Sequence, residues 1–207
     1  MSRQVRGRLL AAAGLFAFVI GLWGLLRAGA ELPGDLQLIL AVRGDLPQGA
    51  DYELWTFFSM VATPLVAVIT VATAATIVGL TLGLRAAALV VTAAAAVLVN
   101  DVVRAVLGPT PATALVFGLG VHSYPSGHVV YATAVFGALA WLGWRHGRRD
   151  ASVVLVGMAV AMGPARVLLG SHLPSDVLGG YALGGAWLLL VIALLDRPRR
   201  PTLGRRA

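Results

Sequence analysis

Two short stretches of the chain hold residue types that could act together on a phosphate group. One reads YPSGH and ends at His128, and the other reads ARVLLGSHLPSD and ends at Asp176. Transfer of a phosphoryl group needs fixed positive charge, a nucleophile in line with the leaving oxygen, and an acid on the opposite side. The arginine and histidine side chains of these stretches can supply these three functions.

The second stretch is expected to place a histidine beside a carboxylate. Arg166 to His172 spans a predicted helix end and a turn, and Pro174 suits the first turn of the next helix. Asp176 follows four residues after His172, near enough to accept a hydrogen bond from one ring nitrogen and leave the other free to attack. Taken singly, Asp176 could instead be an acid at a helix dipole, and Arg166 a side chain that reaches the membrane interface.

The first stretch predicts an anion site at the start of a helix. Pro125 and Ser126 suit the residues that begin a helix, where unpaired N–H groups and the helix dipole favour negative charge. Gly127 would let a phosphate oxygen approach the backbone closely. The simpler alternative is an ordinary serine-capped helix with His128 at its surface.

The elements that must position these residues are membrane-spanning helices. Of the 207 residues, 58% are apolar and 12% are charged, which is typical of a membrane protein. The apolar runs approach or exceed the length of about 18 to 20 residues that spans a bilayer, and they show no period-two alternation. We therefore predict an all-α integral membrane bundle, one domain over 1–207, with six transmembrane helices near 9–26, 55–80, 86–107, 127–144, 151–169 and 177–195.

The arginines predict the orientation of this bundle. All 16 basic residues are arginine, and most fall in segments that the six-helix plan places on the same side as the N-terminus, including an arginine-rich tail. Both termini are therefore expected to be cytoplasmic. The net charge of +7 follows from this topology and does not indicate a nucleic-acid partner. A chain without lysine that is rich in Ala, Gly and Arg is typical of a GC-rich bacterial genome, so we expect a bacterial plasma membrane.

In this orientation the polar residues of four helices meet in one outer layer. Ionisable groups at membrane depth are costly, so their convergence indicates a functional site. Arg104 lies near the outer end of the third helix, His128 begins the fourth, Arg166 ends the fifth, and His172 and Asp176 flank the start of the sixth. This layer is the predicted site.

The remaining segments have structural interpretations. Residues 29–54 predict a short amphipathic helix at the outer surface, and the uncharged loop 108–124 is expected to fold onto the protein. Gly180 and Gly184 are spaced for close helix packing in lipid. The first apolar run could alternatively be a cleaved signal peptide, since AGA at 28–30 resembles a cleavage site.

The motifs resemble those of the membrane-bound type-2 phosphatidic acid phosphatase superfamily. Its second motif, PSGH, is intact at residues 125–128. Its third motif, SR-x5-H-x3-D, is present at residues 165–176 with only the leading serine replaced, by Ala165. Its first motif, K-x6-RP, is degenerate, because Arg104 takes the lysine position and Pro111-Ala112 stands where Arg-Pro is expected.

The resemblance implies a lipid phosphatase or diphosphatase with a catalytic core over 100–176. His172 would form a phosphohistidine intermediate, Asp176 would support it, and His128 would protonate the leaving lipid oxygen. The groups that would hold the phosphoryl group are Arg166, Arg104 and the backbone of Ser126 and Gly127. No metal or other cofactor is implied. A polyprenyl diphosphate is the first expected substrate, with phosphatidic acid, phosphatidylglycerol phosphate and a prenyl phosphosugar phosphate as alternatives.

The altered first motif leaves other hypotheses open. Loss of one donor to a developing negative charge can slow an enzyme by roughly two to three orders of magnitude. His122, Arg43 or Thr110 could partly compensate by folding over the site. Otherwise the protein could be a non-catalytic phospholipid-binding or scaffolding membrane protein descended from such enzymes. A third alternative takes His128, His172 and Asp176 as metal ligands.

Overall fold

The computed structural model describes residues 1–30, 32–118 and 120–195, and these form ten helices and no strand. The arginine-rich tail of the sequence prediction lies outside the described residues. The helices are α1 Arg3–Arg27, α2 Asp35–Gly44, α3 Gly49–Met60, α4 Pro64–Leu82, α5 Leu84–Ala94, α6 Ala96–Leu107, α7 Pro111–Phe117, α8 Gly127–Arg145, α9 Arg149–Leu168 and α10 Pro174–Leu195.

Six helical segments of the described chain are long and apolar enough to cross a membrane, which confirms the predicted all-α bundle. They are α1, α4, α5 together with α6 (Leu84–Leu107), α8, α9 and α10. The second spanning helix starts later than predicted, at Pro64 rather than near 55. Proline suits the first helical position because it has no N–H to donate, so a new helix begins there and Trp55 belongs to α3.

The third spanning segment, predicted as one helix, is interrupted at Ala95. The Ala95 N–H donates to the Thr92 carbonyl, three residues back, at 3.2 Å. The same carbonyl accepts a hydrogen bond from the indole Nε1 of Trp187 at 2.8 Å. Because a side chain of α10 takes this acceptor, the regular hydrogen-bond ladder is locally tightened between α5 and α6.

The connection between α1 and α4 holds two helices, α2 and α3, where one short helix was predicted. Asp35 in the first turn of α2 is buried, and its Oδ1 accepts the Ser175 N–H at the start of α10 at 2.9 Å. The loop before α8 also contains a short helix, α7, which begins at Pro111 and is capped by the Thr110 hydroxyl. These helices lie at the end of the bundle that carries the predicted site.

Helix α10 packs closely on α1 and α8, as the glycine spacing predicts. A Cβ atom on Gly184 would lie 2.7 Å from the Val130 carbonyl oxygen, and one on Gly180 would lie 2.9 Å from the Ser126 carbonyl oxygen. Real Cβ atoms do not come so close to backbone oxygens, so only glycine permits this separation of the two helices.

We expect Gly184→Ala to destabilise the protein by about 1–3 kcal/mol, because the added methyl group must push α10 away from α8. Gly185→Ala is the matched control, since its Cβ would meet only Leu15 at an ordinary 3.5 Å. Thermal unfolding in detergent measures both. Equal melting temperatures for the two variants would show that the close packing is not needed.

Candidate active site

His172 and Asp176 form a buried pair at the turn between α9 and α10. The Nδ1 atom of His172 lies 3.4 Å from Oδ2 of Asp176, a long hydrogen bond, and the Leu173 N–H donates to the same oxygen at 2.9 Å. Asp176 is fully buried and His172 nearly so. The carboxylate thus faces Nδ1, and Nε2 is the ring nitrogen that can attack a phosphorus atom.

The environment keeps the His172 ring neutral. Burial lowers the pKa of His172 below its ordinary value, because the charged imidazolium loses hydration. Asp176 opposes this effect, while the positive charges of Arg166 and Arg104 add to it. A neutral imidazole has a lone pair on Nε2, which is the state that a nucleophile requires.

The helix end after α9 explains the spacing between Arg166 and His172. Gly170 has a φ of +65°, the left-handed conformation that ends many helices. The N–H groups of Ser171 and His172 then turn back and donate to the Arg166 carbonyl at 3.1 and 3.2 Å. The turn therefore fixes the arginine and the histidine relative to each other.

Ser59 orients the Arg166 side chain and was missed by the sequence analysis. Its hydroxyl oxygen accepts a hydrogen bond of 2.6 Å from Nη1 of Arg166, although Ser59 belongs to α3 and is far away in sequence. Ser59 is buried, and Nε of Arg166 is buried without a partner among the described residues. A lone serine in an apolar run has no motif or spacing that would predict such a role.

Ser59→Ala is expected to lower kcat/KM for phosphate release about 10-fold to 100-fold, because it removes a charge-assisted hydrogen bond worth about 1.5–3 kcal/mol. Thr81→Val is the control, because the Thr81 hydroxyl donates to the Ile77 carbonyl of its own helix and Thr81 lies at the end of α4 away from the site. A Ser59→Ala protein with unchanged kcat/KM would show that Arg166 needs no such support.

The N-terminus of α8 begins after Ser126 but lacks the hydroxyl cap of the simpler alternative, an ordinary serine-capped helix. The Ser126 hydroxyl makes no capping hydrogen bond and is buried without a partner among the described residues. The Ser126 N–H donates to the Asp176 carbonyl at 3.0 Å, so this N–H is not available to bind an anion. This bond ties α8 to α10. The N–H groups of Gly127, His128 and Val129 in the first turn are the remaining donors for an anion.

Arg104 holds the loop that leads into α8. Its Nε donates to the Pro125 carbonyl at 3.0 Å and its Nη2 to the Ser123 carbonyl at 2.9 Å. Arg104 was predicted only as a phosphate ligand, but two of its three nitrogens are used to position this loop. Nη1 is the nitrogen that remains to face a ligand.

The predicted residues converge at one end of the bundle. His128 lies near His172 and close enough to Arg166 and Arg104 for their charges to act on it, and the charge of Asp176 acts on Arg104. The two imidazoles are therefore on the same side of the membrane-spanning region. The ends of α6 and α9 and the starts of α8 and α10 form this cluster.

The three residues considered as substitutes for the altered first motif have other partners. The Thr110 hydroxyl bonds to Thr113, whose hydroxyl bonds to Ser123, each at 2.9 Å. The His122 ring bonds to the Arg104 carbonyl at 3.1 Å. Arg43 donates to the Val116 carbonyl at 2.8 Å. The Arg43 and Thr110 contacts hold the α2 and α7 region together, and the use of any of the three residues as a substitute for the altered motif stays a prediction.

The placement of the acidic and histidine side chains does not support a metal centre. Within the described part of the chain, no group of three or more histidine, aspartate or glutamate side chains is arranged to hold a metal ion. The alternative in which His128, His172 and Asp176 are metal ligands therefore lacks a geometric basis. The positive charge at the cluster comes from arginine.

Fold and site together define a multi-pass membrane protein with imidazole, carboxylate and arginine groups at one end of a helical bundle. The model of the PAP2 superfamily matches residues 10–200, and the chain belongs to this family. This confirms the resemblance that the motifs indicated.

Relatives of the chain include named lipid phosphatases. Lipid A 1-phosphatase of Rhizobium etli is 40% identical over 73 residues, which cover 35% of this chain and 29% of that protein. Phosphatidylglycerophosphatase B of Bacillus subtilis is 33% identical over 84 residues, 38% of this chain and 41% of that protein. The chain thus matches less than half the length of these relatives.

A solved structure shares the fold over most of both chains. The crystal structure of a transmembrane PAP2-type phosphatidylglycerolphosphate phosphatase from Bacillus subtilis matches with a TM-score of 0.71 at 20% identity. The match covers 87% of this chain and 93% of that one. It shows that the helices of this chain are arranged as in a PAP2 protein.

Proposed function

We propose that this chain is an integral membrane phosphatase that hydrolyses a lipid phosphate or a polyprenyl diphosphate through a phosphohistidine intermediate, without a metal ion. The observation that carries the proposal is the His172–Asp176 pair in one cluster with His128 and Arg166. The names of the relatives, lipid A 1-phosphatase and phosphatidylglycerophosphatase B, support a membrane lipid phosphate as substrate.

In the first step, Nε2 of His172 attacks phosphorus and the bond between phosphorus and the lipid oxygen breaks. Protonated His128 gives its proton to that oxygen, so the lipid leaves as a neutral alcohol, or as a monophosphate if the substrate is a diphosphate. In the second step, His128 takes a proton from water, which attacks phosphorus and breaks the P–N bond. Inorganic phosphate leaves and both imidazoles return to their starting states.

Positive charge and backbone donors stabilise the transferring group. Arg166 is held by Ser59, Arg104 retains Nη1, and the Gly127 N–H begins α8. Donors that are fixed before the reaction stabilise the developing charge without the cost of reorganisation. We assign these groups to the phosphoryl oxygens, and Ser126 to the backbone that positions them.

The site faces the outside of the cell in this proposal, with the N-terminus in the cytoplasm. The support is the distribution of arginine. Arg3, Arg6 and Arg8 lie in the first turns of α1, and Arg145, Arg148 and Arg149 lie at the turn from α8 to α9, at the end opposite the site. A lipid with its phosphate in the outer leaflet would then meet the cluster directly.

The pH profile follows from the lowered pKa of His172. Because protonated imidazole cannot attack, kcat/KM should fall as the pH drops through that pKa, which lies below the ordinary histidine value of about 6.5. Asp176 raises this pKa, so in Asp176→Asn the acid limb should move to still lower pH while the maximum rate decreases. An acid limb above pH 6.5 that is unchanged in Asp176→Asn would contradict this assignment.

Phosphate release from a panel of lipids tests the proposal. The purified chain should release phosphate from at least one of a polyprenyl diphosphate, phosphatidylglycerol phosphate, phosphatidic acid and lipid A 1-phosphate. Orthovanadate, which mimics pentacoordinate phosphorus, should inhibit the release, and a chelator should not. The second candidate, a non-catalytic phospholipid-binding protein, is favoured if no lipid is hydrolysed faster than by a His172→Ala control.

A further inference from the structure

An apolar groove lies at the end of the bundle opposite His172. The second half of α8, the start of α9 and the end of α10 enclose a volume of about 580 Å³. Its walls include Gly137, Ala140, Val153, Val156, Leu189 and Ile192. From His128 to Trp141 at the rim of this groove, α8 rises about 20 Å, so the groove is separate from the catalytic cluster.

Small residues of α8 line this space. Gly137 and Ala140 present little or no side chain, and Leu188 of α10 packs directly over Gly137. The opposite wall consists of Val153 and Val156, which are exposed in the structure. The groove is therefore open toward the hydrocarbon of the bilayer, and its volume lies within the usual range for pockets that hold small ligands.

Arginines stacked on tryptophans form the polar end of the groove. The Arg8 guanidinium carbon lies 4.8 Å from the centre of the Trp141 ring, and that of Arg145 lies 5.9 Å from the same ring. Arg149 lies 5.6 Å from the Trp144 ring. Trp141, Trp144 and Arg8 also line the groove. Tryptophan and arginine mark the level of lipid headgroups, so this rim lies at the membrane surface.

The charge at this end of the bundle favours an anion. Besides these three arginines, the connection between α8 and α9 contributes Arg148, while Asp150 is the acid in the first turn of α9. Each guanidinium has five N–H donors, so an arginine that stacks on a ring or bonds to another group can still bind a phosphate oxygen. An acyl chain fits the apolar walls, and a phosphate fits the rim.

We propose that this groove is a second lipid site, which binds an anionic phospholipid of the leaflet opposite the catalytic cluster. One acyl chain lies between α8, α9 and α10, and the lipid phosphate bonds to the arginines of the rim. Because a ligand that binds only the folded state stabilises it, such a lipid raises the melting temperature of the protein. The lipid would lie against α8, α9 and α10, which also carry His128, Arg166 and Asp176 at their other ends.

Thermal unfolding of the full chain in neutral detergent tests this site. Phosphatidylglycerol should raise Tm by about 5 °C or more, while phosphatidylcholine and soluble glycerol phosphate should have little effect. Arg166→Gln removes a charge from the catalytic cluster and should keep the shift, which would exclude binding there. The double variant with Arg8→Gln and Arg149→Gln should show at most half of the rise in Tm that phosphatidylglycerol causes in the unaltered protein.

Two further variants separate loss of the site from general damage. Val156→Trp should fill the open wall of the groove and abolish the shift, and because Val156 is half-exposed it should leave the Tm without lipid nearly unchanged. Arg85→Gln, an exposed arginine at the start of α5, should keep the full shift. Equal shifts with both phospholipids, or a full shift in Val156→Trp or in the double arginine variant, would overturn the proposal.

Discussion

His172→Ala should lower the rate of phosphate release at least 1,000-fold, to the level of the uncatalysed background. Without Nε2 no bond to phosphorus can form, and the groups that remain can only hold the substrate. The fold should survive, because the Leu173 N–H still bonds to Asp176 and the Arg166 turn uses only backbone groups. Steady-state release of phosphate from the best lipid of the panel measures the effect.

His146→Ala is the matched control for this variant. His146 directly follows α8 at the opposite end of the bundle, and among the described residues its ring bonds to the Leu142 carbonyl of α8 at 2.8 Å. The His146→Ala variant should release phosphate at a rate within about twofold of that of the unaltered protein. A His172→Ala protein that retains a tenth or more of the original rate would show that another group attacks phosphorus.

His128→Asn should lower the rate about 100-fold to 10,000-fold on an alkyl lipid phosphate, the usual range for removal of a general acid. The alkoxide of a lipid alcohol is a poor leaving group and needs the proton that His128 supplies. An aryl phosphate needs no such help, because a phenolate leaves readily. The loss should therefore be less than about tenfold when nitrophenyl phosphate is the substrate.

The comparison of the two substrates separates acid catalysis from binding. If His128 only holds the phosphoryl group, its replacement should slow both substrates by the same factor. His146→Asn serves as a control, since this ring bonds to the Leu142 carbonyl at the end of α8 away from the site. A uniform loss on both substrates would remove His128 from the role of acid.

The sequence was sufficient to predict the bundle and the pairing of His172 with Asp176. Long apolar runs require helices in lipid, and the four-residue interval from His172 to Asp176 brings a ring and a carboxylate together at a helix start. Gly180 and Gly184 correctly indicated close helix packing. These features are local, so the spacing of residues along one or two helices determines them.

The features that the sequence analysis missed depend on partners that are distant in the chain. Ser59 bonds to Arg166, and the Ser126 N–H is occupied by the carbonyl of Asp176. The interruption at Ala95 accompanies a bond from Trp187 to Thr92. Each of these contacts joins different helices, and no periodicity of one helix specifies which residue of another lies opposite.

The role of Arg104 shows why a motif position does not define a single function. At the lysine position of the first motif it was expected to bind phosphate, and in the structure it donates to the Ser123 and Pro125 carbonyls. Arginine can do both because its five N–H donors point in several directions. Arg104 therefore positions the loop that precedes α8 and also contributes positive charge to the site.

Trapping of the phosphorylated protein tests the central claim most directly. The chain is mixed with a lipid substrate whose scissile phosphate carries ³²P, quenched in alkali, where phosphohistidine is stable, and digested for mapping of the label. We predict acid-labile label on His172, and none in His172→Ala. Rapid substrate turnover with no protein-bound label, or label on another residue, would contradict the proposed intermediate.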